Sequence, residues 1–141
     1  MSDSPVRFDI VALDTPDPVA LSRFYCDLLG WHVERADDDW VTIRGDAGSG
    51  ESGAGRLAFQ LAPDFVAPTW PDPEVQQQVH LDLAVDDLDT AGAFAESVGA
   101  RPVHGPGPEG DYRVYLDPAG HPFCLCLTAA PVGAAALGSR A

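Results

Sequence analysis

A pattern of one strand, one helix and three strands occurs twice in this sequence, and this repeat constrains the fold more than any other feature. The stretch "RFDIVALD" predicts a buried strand, and "VHLDLAV" predicts a matching strand further along the chain. Three positions match at a spacing of 70 residues: Ile10 with His80, Asp17 with Asp87, and Phe24 with Phe94. Near the end of each half, "FQL" at 59–61 falls on "FCL" at 123–125. Two copies of such a unit predict an α+β fold with two similar halves.

The first helix of the repeat carries signals at both of its ends. Asp17 is a residue type that caps helix N-termini, and Pro18 suits the first helical position. Apolar residues then recur at helical spacing up to Leu29, and Gly30 is a typical helix-ending residue. The second helix is predicted at "DDLDTAGAFAESVGA". The remaining strands are predicted at "GWHVERA", "WVTIR", "RLAFQLA", "ARPVH", "YRVYLD" and "FCLCLT".

The length predicts a single domain that covers residues 1–141. The first unit is expected at 6–61 and the second at 79–128, joined by a linker at 62–78 that is rich in Pro. The tail at 129–141 is small and weakly apolar, and it is expected to be either a short docked helix or a frayed end.

Charge and cysteine content narrow the classes of partner. Eight Arg, no Lys and 22 acidic residues give a net charge of −14. This charge disfavours nucleic acid and favours a cationic or neutral small ligand, although an acidic surface also serves solubility alone. No apolar run is long enough for a membrane helix, so no membrane partner is expected. Three Cys, an odd number, and a start without a signal-peptide pattern predict a reducing, cytoplasmic location.

The Gly/Ser-rich stretch from Gly45 to Gly55 is not a phosphate-binding loop. It lacks the Gly-Lys-Ser/Thr ending and any basic residue before Arg56. We interpret it as a hairpin connection.

An ordered set of motifs resembles a known superfamily. "FYCDLLGW" ends the first helix, "HLDLAVDDLD" begins the second unit, and "DPAGHPFCLCL" leads into the last strand. With the repeat, these motifs resemble the vicinal oxygen chelate superfamily of glyoxalase I, extradiol dioxygenases and bleomycin-resistance proteins, and its glyoxalase-like domains in particular. The resemblance covers residues 6–128. It implies two βαβββ units in a curled mixed sheet with helices on the outer face, a ligand cup formed by both units, and a homodimer.

The resemblance also implies metal-ligand positions, one on the first strand and one on the last strand of each unit. Carried over by position, they are Ile10, Gln60, His80 and Cys124. Ile10 cannot bind a metal, Gln60 is a weak ligand, and Cys124 stands where the superfamily's metalloenzymes usually have Glu. We therefore expect no cofactor; if a divalent cation binds after all, His80 and Gln60 are its expected ligands. Asp82 faces the same way as His80 and offers a His, Asp, Cys trio, although the two residues are ~7 Å apart along a strand.

Cys124 is open to three interpretations. It is a candidate ligand for zinc or a soft metal. It is also a candidate nucleophile, although the acidic surroundings and the flanking Phe123 and Leu125 disfavour a reactive thiolate. The interpretation that fits the residue types best is that Cys124 and Cys126, which share one strand face, are small hydrophobic residues that line a pocket.

Further polar and aromatic residues are expected around this pocket. Asp14 and Asp82 would suit a cationic ligand, with strand-end capping or solvent contact as the alternative. Trp40 and Tyr112 are expected either to stack on a planar ligand or to pack within the sheet. Trp70, in the linker, is either a lid over the pocket or an oligomer contact.

These features predict a metal-independent protein that binds a small, cationic or aromatic molecule. The alternative is a metal-dependent lyase, isomerase or dioxygenase that acts on a substrate with vicinal oxygens. If the protein is an enzyme without a metal, His80 and Asp82 are the candidate general bases. The candidate pocket residues are Ile10, Asp14, Trp40, Gln60, His80, Asp82, Tyr112, Cys124 and Cys126.

Overall fold

The computed structural model describes residues 4–46, 55–103 and 111–127. Within these ranges the chain forms eight strands and two helices, which confirms the predicted α+β fold of two βαβββ repeats. The chain divides into two compact units, Met1–Phe65 and Val66–Ala141, and each unit has its own four-stranded sheet. No helix in the described ranges is long and apolar enough to cross a membrane.

The first unit places its first and last strands side by side. In this unit β1 and β4 pair in parallel, whereas β4 with β3 and β3 with β2 pair antiparallel, so the strand order is β1-β4-β3-β2. The parallel pair forms because the helix carries the chain back across the sheet between β1 and β2. The elements are β1 (Val11–Thr15), α1 (Pro18–Leu29), β2 (His32–Ala36), β3 (Trp40–Arg44) and β4 (Arg56–Leu61).

Helix α1 begins and ends where its sequence signals predict. The Asp17 side chain accepts a hydrogen bond from the backbone N–H of Ala20 at 3.0 Å, and Pro18 takes the first helical position. Gly30 ends the helix at φ 72°, in the left-handed region that Gly adopts without a steric penalty. The buried face of α1 packs on β3 and β4, where the Tyr25 ring stacks on Phe59 at 5.6 Å between centroids.

The second unit repeats this arrangement with the strand order β5-β8-β7-β6. The parallel pair is now β5 with β8, and α2 packs on β8. Asp87 caps α2 by accepting a hydrogen bond from the Thr90 N–H at 3.0 Å, as Asp17 caps α1. The elements are β5 (Leu81–Val85), α2 (Leu88–Ser97), β6 (Arg101–Pro102), β7 (Tyr112–Leu116) and β8 (Pro122–Leu127).

The structure shortens some of the predicted elements. Strand β1 begins at Val11, so the preceding residues of "RFDI" are not part of it, and His80 lies just before β5. Strand β6 has two residues, Arg101 and Pro102, which pair with Leu116 and Tyr115 of β7. Val103 follows them with a backbone hydrogen bond to the Val114 carbonyl at 3.1 Å, and His104 lies outside the described residues. Residues 62–78 contain no strand or helix. The tail 129–141 lies outside the described residues.

Candidate functional site

A cavity of about 320 Å³ opens on the sheet of the second unit. Strands β5, β7 and β8 supply part of its wall, and the irregular segment before β5 supplies the rest. Polar and aromatic side chains are mixed with apolar ones, as in small-molecule pockets. The lining residues are Trp70, Gln77, His80, Asp82, Tyr112, Val114, Pro122 and Cys124.

Strand pairing places the central residues of this cavity in one row. Asp82 on β5 is the register partner of Cys124 on β8, and Val114 on β7 is its partner on the other side. Side chains alternate between the two faces of a sheet, so Phe123 and Leu125 point away from the cavity. Phe123 instead stacks on Tyr115 at 5.8 Å, on the face that carries α2.

A polar trio of His80, Asp82 and Cys124 forms in the wall of the cavity. The Nε2 atom of His80 lies 3.4 Å from Oδ1 of Asp82, and the two side chains are 44% and 42% exposed. Cys124 is buried, and the ligand nitrogen, oxygen and sulfur atoms of the trio all lie within 4.8 Å of one another. The separation of ~7 Å that the sequence predicts between alternate strand residues describes their backbone positions. The side chains of His80, one residue before β5, and Asp82, within it, nevertheless reach each other at 3.4 Å.

A tight turn before β8 fixes the position of Cys124. The buried Asp117 carboxylate accepts hydrogen bonds from the N–H groups of Ala119 and His121, at 2.9 and 3.0 Å. Gly120 lies at φ 99°, and a Cβ atom there would come within 2.7 Å of the Ala67 methyl group. The motif "DPAGHPF" therefore serves this turn, which starts β8 in the register that aligns Cys124 with Asp82.

The trio fits a divalent metal ion in the types of its donor atoms. Imidazole, carboxylate and thiolate are the usual protein ligands of Zn²⁺, and a catalytic zinc site has three of them. Ligand atoms around a tetrahedral Zn²⁺ lie roughly 3.3–3.8 Å apart, given metal–ligand distances of ~2.0–2.3 Å. Small side-chain rotations would therefore bring the trio into range. The thiolate favours zinc or a softer ion over Mg²⁺ or Mn²⁺.

The candidates in the first unit form a separate group. Asp14, Gln60 and Trp40 lie in one row across β1, β4 and β3, because Gln60 is the register partner of both other residues. Gln60 and Asp14 are exposed. A second cavity, of about 400 Å³, is lined by Asp9, Ile10, Glu34, Arg35, Trp40, Thr42 and Arg56. The Trp40 indole N–H donates to the Thr42 hydroxyl at 2.9 Å in this cavity.

Ion pairs dominate the charged side of the second cavity. Glu34 contacts Arg44 at 3.0 Å and Arg56 at 3.1 Å, and Arg56 also contacts Asp9. Desolvation by itself raises the pKa of Glu34. The hydrogen bonds and charges of Arg56 and Arg44 together outweigh it, so the pKa of Glu34 lies below its ordinary value. Glu34 is therefore ionised at neutral pH and pairs with both Arg side chains.

The strand register corrects one equivalence between the two halves. Gln60 pairs with Asp14, four residues after Ile10, whereas Cys124 pairs with Asp82, only two residues after His80. If Ile10 matches His80, the counterpart of Cys124 is therefore Ala58, which pairs with Ala12. The overlay of Gln60 on Cys124 is wrong because a sequence overlay treats each strand alone and ignores its partner.

Cys126 occupies the next row on the same face as Cys124. Its register partners are Ala84 on β5 and Tyr112 on β7, and it is buried. Within the described residues it does not line the cavity. Of the two Cys residues predicted to line the pocket, only Cys124 therefore does so.

Sequence reasoning missed Gln77, Val114 and Pro122 as lining residues. The Gln77 Oε1 atom is buried and has no hydrogen-bond partner among the described residues. Gln77 lies in the irregular segment, where no periodicity indicates which side chains point inward. Val114 could have been predicted from the sequence, because it lies two residues after Tyr112 on one strand and therefore shares its face.

Comparison with protein families identifies the class of this protein. The family model described as "Glyoxalase-like domain" matches residues 10–126. The chain therefore belongs to the glyoxalase-like domain family, within the vicinal oxygen chelate superfamily. A search of curated proteins finds no match.

Solved structures with the same fold share little sequence with this chain. A glyoxalase/bleomycin resistance protein/dioxygenase family enzyme from Burkholderia phytofirmans superposes with a TM-score of 0.61 at 19% identity, covering 85% of this chain and 97% of that one. A bleomycin-binding protein from Streptomyces verticillus in complex with copper(II)-bleomycin superposes with a TM-score of 0.54 at 20% identity, covering 88% of this chain and 99% of that one. A fosfomycin resistance protein from Mesorhizobium loti superposes with a TM-score of 0.61 at 13% identity, covering 92% of this chain and 95% of that one. These similarities show the fold.

Proposed function

We propose that this protein binds a small organic molecule, without a metal, in the cavity of its second unit. The observation that carries this function is the meeting of His80 and Asp82 with the aromatic side chains of Trp70 and Tyr112 around one cavity of about 320 Å³. A concave, partly apolar pocket with a few converging polar groups is the usual form of a small-molecule site. A volume near the lower end of the usual range suits a compact ligand of one or two rings.

The structural relatives support a small-molecule ligand. One is a bleomycin-binding protein in complex with bleomycin, and another is a fosfomycin resistance protein. These two relatives are named for two different compounds, so the fold alone does not select the ligand and the side chains of each pocket do.

We also propose that the protein is a cytoplasmic homodimer. Its three cysteines, all among the described residues, carry thiols and form no disulfide, which suits a reducing compartment. Homodimers are the commonest form of soluble oligomer.

The second candidate function is that of a metal-dependent lyase, isomerase or dioxygenase. The observation in its favour is the trio, whose donor atoms lie within 4.8 Å of one another. His80, Asp82 and Cys124 would hold the ion, which would act as a Lewis acid toward vicinal oxygens of a substrate.

Without a metal, Asp82 would orient the imidazole of His80 through Nε2 and leave Nδ1 to accept a proton from a bound compound.

Metal content and ligand binding, measured on the same purified sample, separate the two functions. We expect well under one equivalent of metal per chain. Fragment binding, followed by ligand-observed NMR, should persist in chelator. The variant His80→Ala should weaken that binding about tenfold, because the cavity loses a polar contact. The matched control His32→Ala removes an exposed imidazole from the first unit and should leave binding unchanged.

The opposite result would favour the metal-dependent enzyme. About one equivalent of Zn²⁺ per chain, lost in Cys124→Ser but kept in Cys126→Ser, would identify the trio as its ligand set. Cys126 is a strict control because it lies on the same strand and face but outside the trio. If no fragment bound the wild-type protein with or without metal, the small-molecule function itself would be wrong.

A further inference from the structure

We propose that the ligand of the second-unit cavity is an organic cation with N–H donors, such as an amidinium or a primary ammonium compound. This inference rests on the proposed function and names the ligand chemistry of the same site. Asp82 supplies the negative charge, Gln77 accepts an N–H group, and the aromatic rings of Trp70 and Tyr112 contact the cation.

The charge of the cavity favours a cation over an anion. Among its eight described lining residues there is no Arg or Lys, and Asp82 is the one carboxylate. A carboxylate or phosphonate ligand would meet no permanent positive charge there and would lie beside Asp82. The chain as a whole carries a net charge of −14, which raises the local concentration of cations and lowers that of anions.

Gln77 indicates that the ligand carries a hydrogen-bond donor. Its Oε1 atom is buried and has no partner within the described part of the chain. A buried acceptor without a partner is costly, because its hydrogen bonds to water are lost and not replaced. Since Gln77 also lines the cavity, a small rotation of its amide would let a ligand N–H donate to this oxygen. A quaternary ammonium ion, which has no N–H group, would leave the amide unsatisfied.

The aromatic side chains suit the same class of ligand. Trp70 and Tyr112 both line the cavity, and the faces of indole and phenol rings attract cations. Planar cations also stack on such rings. Asp82 keeps acceptor capacity beside His80, because a carboxylate has about four lone-pair sites. A planar amidinium would therefore use all three kinds of group at once.

Three probes of nearly equal shape test this inference on the wild-type protein. Benzamidine is a cation with N–H donors, benzamide is neutral with N–H donors, and benzoate is an anion without them. In isothermal titration calorimetry at low ionic strength, benzamidine should bind at least about tenfold more tightly than benzamide. Benzoate should bind most weakly. Benzoate binding as tightly as benzamidine would overturn the inference without any substitution.

Two variants test the roles of individual residues. Gln77→Leu roughly keeps the side-chain volume. It should weaken the binding of benzamidine and of benzamide alike, by about tenfold. Asp82→Asn should weaken the binding of benzamidine by a similar factor and that of benzamide far less. The control for Gln77 is Gln78→Leu, an exposed glutamine one residue further on that does not line the cavity among the described residues. Unchanged benzamidine affinity in Gln77→Leu would contradict the assigned role of its amide.

The outcomes also separate this inference from the proposed function. If benzamide or benzoate binds best and His80→Ala removes that binding, the cavity is a small-molecule site and the cationic ligand is wrong. If none of the three probes binds, the cationic ligand is wrong, and the fragment screen on the wild-type protein still decides whether the cavity is a small-molecule site. Tight binding of benzamidine that His80→Ala and Asp82→Asn leave intact would place the cation elsewhere on the acidic surface and overturn the inference.

Discussion

At the scale of single residues, the environment of Cys124 shows what a sequence can and cannot predict. The alternation of a strand correctly places Cys124 and Cys126 on one face. The sequence and its resemblance already offered His80, Asp82 and Cys124 as a trio, and the structure brings these side chains together. The pairing of β5 with β8 adds that Asp82 is the direct neighbour of Cys124, which no local pattern indicates because this parallel contact joins residues far apart in the chain. Gln77 was not predictable, since its orientation depends on the path of an irregular segment.

Glu34 should make stability depend on pH in the acid range. Its pKa in the folded protein lies below the ordinary value of 4.5, because two Arg side chains outweigh the effect of desolvation. The stabilisation is therefore fully present above pH 4.5 and is lost as the pH falls through the folded pKa. In urea unfolding from pH 7 down to pH 2, Glu34→Gln should be less stable than the wild type at pH 7 and equal to it at the acid end.

The control for this change is Glu96→Gln, which removes one negative charge from an exposed position on α2. If the free energy of unfolding of both variants differed from that of the wild type by the same amount at every pH, the ion pairs of Glu34 with Arg44 and Arg56 would not contribute to stability. The expected effect of Glu34→Gln is small, because exposed ion pairs are screened by solvent.

At the scale of elements, the helices were predicted better than the strands. Helix signals are local, so Asp17, Pro18 and Gly30 defined α1 from sequence alone. Strand limits depend on partners, which explains why β1 starts only at Val11 and why β6 has two residues. The register, too, is a property of pairs of strands, and the overlay of Gln60 on Cys124 failed for this reason.

The two helix caps should contribute similar stability to their units. Asp17 and Asp87 each accept a hydrogen bond from a first-turn N–H at 3.0 Å, so Asp17→Ala and Asp87→Ala should each lower the free energy of unfolding by ~1 kcal/mol. Replacement of either residue by Asn should cost much less, because Asn also caps helices. Urea denaturation followed by circular dichroism measures both differences.

Asp27→Ala is the control for the cap variants, since Asp27 is an exposed aspartate near the C-terminal end of α1. Its removal should leave stability unchanged or raise it slightly, because a negative charge at this end opposes the helix dipole. Equal losses in Asp27→Ala and Asp17→Ala would show that the cap hydrogen bond is not the cause.

At the scale of the whole molecule, the repeat was the decisive signal. Two matching patterns 70 residues apart predicted the two units and their element order, because each copy must fold by the same local rules. The repeat could not indicate which copy carries the more complete polar site. That difference comes from a few side chains, as His80 in the second unit stands where Ile10 stands in the first.

The net charge of −14 should make the protein more stable as salt is added. Like charges repel one another in the compact state, and the screening length falls from roughly 30 Å at 0.01 M salt to about 10 Å at 0.1 M. Differential scanning calorimetry at neutral pH should therefore show Tm rising over this range in NaCl and equally in KCl. Near the isoelectric point of about 4.2 the rise should disappear. A fall in Tm with salt at neutral pH would mean that attractive ion pairs outweigh the repulsion.

Strand β2 bears on how readily this protein aggregates through the edge of its first sheet. It forms one edge of the first sheet, every residue in it is exposed, and its register with β3 is interrupted between Val33 and Arg35. A broken hydrogen-bond ladder that also carries Glu34 and Arg35 is a poor template for an incoming strand. The protein can therefore be concentrated, or fused to another domain at some other surface, with little risk that its sheets grow into fibres from this edge.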